Sequence, residues 1–271
     1  MTNKELQPII CPSLLSGDFA FLARDANYML EQGAECHFVP NLTIGAPVIK
    51  SLRKHTKGHL DCHLMVTNPE SMIDDFKNAG ADGITFHIEA TERGDGRSIT
   101  KEVIHKIKSS GMMCGISVKP NTPIESIFDF VESIDFVLIM TVEPGFGGQS
   151  FMTHMMPKVE TLRKKYPHLP IQVDGGLDPN TIDAAAKAGA NIIVAGSSLF
   201  KPGQNPKDTM QLFRDTINKH KPNCICKISD YYYFRKVIYI LVVWTFNKAS
   251  VMYTNTDTII ILIQSPGITT Q

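Results

Sequence analysis

The chain has 271 residues, 43% of them hydrophobic, and its 27 Lys and Arg residues balance its 27 Asp and Glu residues. A formal net charge of zero gives no electrostatic reason to expect a nucleic acid or an anionic membrane surface as a partner. The length is sufficient for one domain with a substantial core.

Apolar runs alternate with helical patterns along most of the chain. The predicted strands are Ile9–Leu15, Leu60–Val66, Gly83–Ile88, Met113–Val118, Ile134–Met140, Ile171–Val173 and Ile192–Ala195. Helical patterns cover Asp18–Gln32, a segment from about Gly45, then Asn68–Ala79, Ser98–Ser109, Pro123–Val131, Phe151–Tyr166, Pro179–Ala188 and Pro206–His220. This regular alternation predicts a parallel sheet covered by helices.

The strand count is seven where a closed (β/α)₈ barrel needs eight. Between Gly33 and the helix near Gly45, the sequence offers only a short candidate strand, Cys36–Val39, which Pro40 stops. We therefore predict an α/β fold, a (β/α)₈ TIM barrel over residues 1–221 that is incomplete at its second strand.

Glycine-rich turns follow each of the last three predicted strands. Gly147 and Gly148 lie in the turn after Met140, Gly175 and Gly176 follow Asp174, and Gly196 and Ser197 follow Ala195. Glycines allow backbone N–H groups to approach an anion closely, and helix N-termini favour negative charge. Three such turns at the mouth of a barrel predict a site for a phosphate group.

Chemically active side chains are expected at the carboxyl ends of the strands. Those found there are Ser13, His63, Met65, His87, Lys119, Met140 and Asp174. An imidazole and a carboxylate together suit a divalent metal, and a carboxylate beside a sugar phosphate can move protons. Each residue also has a structural interpretation: His63 as a hydrogen-bonded barrel histidine, Asp174 as a turn cap, and the two methionines as core.

With these residues assembled, the chain resembles the ribulose-phosphate 3-epimerase family. The matching stretches are Pro12–Asp18, His37–Asn41, Asp61–Val66, Phe86–Glu89, Val118–Pro120, Met140–Gln149, Val173–Gly176 and Ala195–Ser197. They extend in family order from about residue 9 to residue 220.

The resemblance implies C3 epimerisation of D-ribulose 5-phosphate to D-xylulose 5-phosphate through a metal-stabilised enediolate, in the pentose phosphate pathway. It implies that Asp174 is an acid–base residue, and that His63 and Asp174 are ligands of a divalent metal (Zn, Fe or Mn). It also implies that Ser13, Met65 and Met140 surround the substrate, and that the phosphate lies against Gly147, Gly148, Gly176, Gly196 and Ser197.

The chain departs from the family pattern at its second strand. A His-x-Asp-x-Met-Asp-Gly stretch, which supplies another metal ligand and the second acid–base aspartate, is missing before His37. We therefore expect reduced metal affinity, since affinity follows the number of ligands. Two alternatives stay open: a catalytically impaired or non-catalytic sugar-phosphate-binding barrel, and a hexulose 6-phosphate 3-epimerase.

The remaining expectations concern location and partners. The six cysteines, Cys11, Cys36, Cys62, Cys114, Cys224 and Cys226, lack C-x-x-C spacing and lie mostly in apolar runs, which predicts buried thiols in a reducing compartment. Without a signal-peptide pattern at the N-terminus, we predict a cytoplasmic protein.

Residues 222–271 match nothing in the family and are expected to be a disordered or aberrant extension. The apolar run Val237–Trp244 is too short for a membrane span, which needs about 20 residues. The expected partner is a sugar phosphate, with homo-oligomers open.

Overall fold

The computed structural model describes residues 6–40, 44–92, 98–145, 147–221, 249–252 and 260–263. These residues belong to two compact units, Met1–Tyr231 and Tyr232–Gln271. The first unit holds one sheet of eight strands in the order β1-β8-β7-β6-β5-β4-β3-β2, with every neighbouring pair parallel. The strands are β1 (Ile9–Pro12), β2 (Cys36–Pro40), β3 (His59–Leu64), β4 (Gly83–His87), β5 (Met113–Val118), β6 (Phe136–Met140), β7 (Ile171–Asp174) and β8 (Ile192–Ala195).

Helices connect the strands. They are α1 (Leu22–Glu31), α2 (Ala46–Arg53), α3 (Ile73–Ala79), α4 (Thr100–Ser109), α5 (Met156–Lys165), α6 (Ile182–Ala188), α7 (Ser197–Phe200) and α8 (Pro206–His220). The segment Ile124–Ser133 before β6 is a 3₁₀ helix, where the sequence predicts an ordinary helix from Pro123 to Val131. Each strand is buried on both faces, as expected for a parallel sheet covered by helices. The predicted (β/α)₈ barrel is confirmed.

The second strand is more complete than the sequence predicts. Five residues of β2 pair in register with β3, from Cys36 opposite His59 to Pro40 opposite His63. Proline is tolerated because β2 lies at the end of the strand order, where it has no continuous partner on its other side. Towards β1, however, β2 forms only one isolated bridge, between Phe38 and Ser13. The barrel therefore has eight strands and is nearly closed, and its incompleteness is confined to the β1–β2 seam.

A disulfide crosses this seam. It joins Cys11 of β1 to Cys36 of β2, whose Cα atoms are 4.8 Å apart. The prediction of reduced thiols is therefore wrong for this pair, because adjacent parallel strands bring the two residues within bonding range. Cys62 and Cys114 are buried free thiols, as predicted. Cys224 and Cys226 lie outside the described residues.

Polar contacts of one type recur at the amino ends of the strands. Before β4, the Asp82 carboxylate accepts a hydrogen bond from the backbone N–H of Leu60 in β3 (2.9 Å) and pairs with Arg53 of α2. We call this arrangement a base clamp. In a base clamp, a polar side chain just before an even-numbered strand accepts a hydrogen bond from a backbone N–H of the preceding odd-numbered strand. The same side chain also contacts a cationic side chain from the helix that precedes the odd-numbered strand. The same arrangement joins Glu35 to Ile10 and Arg214, Asp135 to Cys114 and Lys108, and Asn191 to Ile171 and Arg163.

The clamp before β2 fixes the position of Glu35. Its two carboxylate oxygens bind Ile10 N (2.8 Å) and Arg214 Nη2 (2.7 Å). Burial raises the pKa of Glu35 despite the nearby guanidinium. This carboxylate therefore serves the amino end of the barrel, while sugar-phosphate chemistry is expected at the carboxyl end.

The second unit contains two described strands. These are β9 (Ala249–Met252) and β10 (Ile260–Ile263), and they pair antiparallel. The predicted domain boundary at residue 221 is followed directly by residues that the structure does not describe. The run Val237–Trp244 lies within those residues. In the described part of the chain, no helix is long and apolar enough to cross a membrane.

Candidate functional site

A cavity of about 650 Å³ opens at the carboxyl end of the barrel. It lies where parallel (β/α)₈ barrels hold their active sites, since the loops after the strands meet there. The resemblance implies ten site residues, and nine of them line the cavity: Ser13, Met65, Met140, Gly147, Gly148, Asp174, Gly176, Gly196 and Ser197. The structure thus brings together the three glycine turns and one carboxylate.

The second and third glycine turns leave no room for side chains. At Gly176, whose φ is +70°, a Cβ atom would lie 2.4 Å from the backbone nitrogen of Phe151. At Gly196, a Cβ atom would lie 2.4 Å from Ser16 Oγ. Both positions expose backbone to the cavity, which is the property that a phosphate site requires.

Asp174 is held rigidly at the end of β7. Its carbonyl oxygen accepts hydrogen bonds from Thr141 N (2.8 Å) and Thr141 Oγ1 (2.9 Å), and the same hydroxyl donates to Gly175 O (2.7 Å). The backbone contacts leave the carboxylate to face the cavity. Burial raises the pKa of Asp174 to about 7. A carboxyl group with this pKa can both take up and release a proton near neutral pH.

His63 is the predicted site residue that does not line the cavity. Its side chain is fully buried, and its Nε2 lies 2.9 Å from His87 Nε2. The ring of Phe38 packs against it, with 5.2 Å between the ring centroids. Burial, with a smaller contribution from His87, holds the pKa of His63 well below its usual range, so the ring is neutral. His87 is buried as well and approaches Glu89 through Nδ1 (3.4 Å).

The described residues offer too few donors for a divalent metal. Structural and catalytic zinc sites take at least three protein ligands. Among the described residues, no group of three or more His, Cys, Asp or Glu side chains could hold an ion. The two ligands that the resemblance implies, His63 and Asp174, do not form such a group. The residues present therefore do not fit the metal, and no chemical step below depends on one.

Several contacts were missed from the sequence. Ser16, Val142, Gln149 and Leu177 also line the cavity. Gln149 Nε2 donates to the carbonyl oxygen of Glu143 (2.7 Å), across the turn that holds Gly147 and Gly148. Their nearness to the predicted motifs was the only available signal for these residues.

Lys119 does not line the cavity. Its backbone N–H donates to Glu89 Oε1 (2.9 Å), and its carbonyl oxygen accepts from Lys158 Nζ (3.0 Å). The Lys119 backbone thus helps to order the loop after β5.

The fold and the cavity define a class: a (β/α)₈ barrel with glycine turns for a phosphate at the ends of its last three strands. Similar solved structures have the same fold. They include orotidine 5'-phosphate decarboxylase from Pyrococcus horikoshii OT3, with a TM-score of 0.57 and 17% identity over 78% of this chain and 99% of that one. Another is 3-hexulose-6-phosphate synthase from Salmonella typhimurium, with a TM-score of 0.56 and 14% identity over 79% of this chain and 100% of that one. At these identities the likeness shows the fold alone.

Sequence comparison gives the family. The model of the ribulose-phosphate 3 epimerase family matches residues 9–200, and the chain belongs to this family. A relative named "Ribulose-phosphate 3-epimerase, cytoplasmic isoform" from Oryza sativa subsp. japonica is 57% identical over 219 residues, covering 77% of this chain and 93% of the relative. The ribulose-phosphate 3-epimerase of Schizosaccharomyces pombe is 48% identical over 225 residues, covering 79% and 96%. These relatives support D-ribulose 5-phosphate epimerisation and do not favour the two alternatives considered above.

Proposed function

We propose that this chain binds D-ribulose 5-phosphate with its phosphate in the three glycine turns and its C3 hydrogen facing Asp174. The observation that carries the proposal is the position of Asp174, which directly precedes Gly175 and Gly176 and lines the same cavity as they do. A phosphate bound at these glycines would place the carbon chain of the sugar beside the carboxylate. The proposed substrate is also consistent with the names of the relatives.

The proposed chemistry is a proton transfer next to a carbonyl. The hydrogen on C3 is acidic because the carbonyl group at C2 takes up the negative charge left by its removal, which gives an enediolate. The Asp174 carboxylate takes this proton, and the resulting acid returns it. Since one residue serves one face of the sugar, inversion needs a proton from the opposite side. The resemblance assigns that step to an aspartate of the stretch that this chain lacks.

This asymmetry gives a direct test. With the purified full chain in D₂O, we expect the C3 hydrogen of D-ribulose 5-phosphate to exchange with solvent faster than D-xylulose 5-phosphate forms. Both rates can be followed in one sample by proton NMR. Exchange at the rate of inversion would show that both faces are served, and no exchange above the protein-free control would refute the proposed reaction.

The pKa of Asp174 predicts a pH dependence. Removal of the proton needs the ionised carboxylate, which is the minor form below pH 7 and the major form above it, because burial raises the pKa of this group to about 7. The exchange rate at saturating substrate should therefore rise with pH through about 7 and then level off. A profile that levels off near the usual range of an aspartate, about pH 4, would contradict this assignment.

The setting of the reaction is part of the same proposal. We place the protein in the cytoplasm and in the pentose phosphate pathway, which the name of the rice relative and the family reaction support. Homo-oligomer formation is a prediction from the resemblance, and light scattering of the purified chain tests it. The implied divalent metal is left out of the proposal, because the described donors do not fit it.

A further inference from the structure

The second strand brings an aromatic ring, with no metal-binding atom, to the site end of the barrel. Phe38 is 1% exposed, forms a bridge with Ser13 just after β1, and packs its ring on His63. Carbon atoms cannot ligate a cation, and a buried phenyl ring excludes the water that completes the coordination of a catalytic metal. The place beside His63 on the β2 side is therefore filled by an apolar group.

The neighbouring histidine of β2 does not compensate. His37 is fully buried, but it lies on the other face of the strand, where its Nε2 is 2.9 Å from the position of a Cβ atom at Gly58. Gly58 directly precedes β3 at the amino end of the barrel, away from the cavity. Neither ring nitrogen of His37 has a hydrogen-bond partner. Its imidazole lies beside Gly58 and does not line the cavity.

His63 itself is engaged elsewhere. Its Nε2 is hydrogen-bonded to Nε2 of His87, and the centroids of the two rings are 4.7 Å apart. Its Nδ1 is buried without a partner. Because His63 does not line the cavity, Asp174 is the only member of the implied ligand pair that a solvated ion in the cavity would meet.

We infer that this chain holds no divalent metal between His63 and Asp174, that Phe38 closes the place beside His63 on the β2 side, and that the glycine turns bind phosphate without a metal. The statement about the metal is independent of the proposed function, whereas the statement about phosphate rests on it. The two parts have separate measurements, so the failure of one is distinguishable from the failure of the other.

The first measurement is metal content. The full chain is incubated with Zn²⁺ or with Mn²⁺, dialysed, and analysed by elemental analysis beside the His63→Ala and Asp174→Asn variants. We expect far less than one ion per chain at this site, so the three proteins should give the same content. About one ion per chain that is lost in both variants would overturn the inference. Metal that all three proteins retain lies elsewhere and supports it.

The second measurement titrates inorganic phosphate into the metal-stripped chain by calorimetry. Binding that is unchanged by added Zn²⁺ or Mn²⁺ is expected. Binding that appears only with metal would overturn the statement about phosphate. No binding in either condition would refute the phosphate site, and with it the proposed function, while leaving the result on metal content valid.

The role of Phe38 is tested by a gain of metal binding. Phe38→His places a third imidazole beside His63 and His87, and three histidines are a known catalytic zinc set. Zinc content should rise from near zero to about one ion per chain. The matched control is Phe136→His, which replaces another buried ring of the barrel, packed on Gly115. A Phe38→His protein that folds, as judged by circular dichroism, but gains no more zinc than the control would show that Phe38 is not the closing residue.

Discussion

The substitution Asp174→Asn is expected to slow exchange of the C3 hydrogen by about 10²- to 10⁴-fold, the usual contribution of a general acid–base group. Asparagine has nearly the same shape but cannot accept the proton. The backbone contacts of Asp174 with Thr141 do not involve its carboxylate, so the strand end should keep its position. Phosphate affinity should therefore be retained, which separates loss of chemistry from loss of binding.

The matched control is Asp183→Asn on α6. Asp183 is exposed and pairs with His220 at the surface, outside the cavity. Its substitution should leave exchange at the wild-type rate. If Asp174→Asn retained wild-type exchange while binding phosphate normally, another group would have to remove the proton, and the proposed role of Asp174 would be wrong.

Gly176→Ala should have the second large effect, on binding and on stability together. At a φ of +70°, an alanine pays roughly 1–2 kcal/mol for the left-handed conformation. Its Cβ would also lie 2.4 Å from Phe151 N and 2.7 Å from Phe151 Cα, and backbone atoms cannot rotate away. The turn must therefore move, and we expect at least about a tenfold loss of phosphate affinity, corresponding to 1.4 kcal/mol.

Gly203→Ala is the control for conformational strain. Gly203 has a φ of +79°, but a Cβ atom there would have nothing within 4 Å. Both variants strain the left-handed backbone, and only in Gly176→Ala does the new Cβ meet the backbone of Phe151. Calorimetry with phosphate and thermal unfolding should thus give normal binding and a small loss of stability for Gly203→Ala. Equal behaviour of the two variants would show that the close approach at Gly176 does not shape the cavity.

The parallel barrel could be predicted because its signals are local. Each buried strand is a short apolar run, and two predicted runs, Met113–Val118 and Ile192–Ala195, match the observed strands at both ends. The glycine turns were also visible, since they lie next to those strands in the sequence. Predicted strand ends at Leu15 and Val66 extend beyond the observed strands, because apolar residues continue into the loops.

The second strand and its consequences could not be predicted in this way. Whether residues 36–40 pair with β3 depends on a neighbour more than 20 residues away, and no local pattern encodes that register. The same holds for the contacts of His63 with His87 and with Phe38, since they depend on side-chain packing across strands. The resemblance assigned His63 a role by motif, whereas the packing decides which groups it can reach.

The base clamps divide the barrel into four equivalent strand pairs. Three clamps lie within continuous stretches of chain, such as Arg53 to Asp82. The fourth joins Arg214 of the last helix to Glu35 near the start, and β1 pairs with β8 beside it. The first and last strands of the barrel are thus held by the same kind of clamp as the strands between them. In a circularly permuted chain, α8 would be linked to β1 and new termini would be opened between Arg53 and Leu60. Such a chain would keep all four clamps. The clamp of Arg53 and Asp82 would then join the two ends of the chain, in place of the clamp of Arg214 and Glu35.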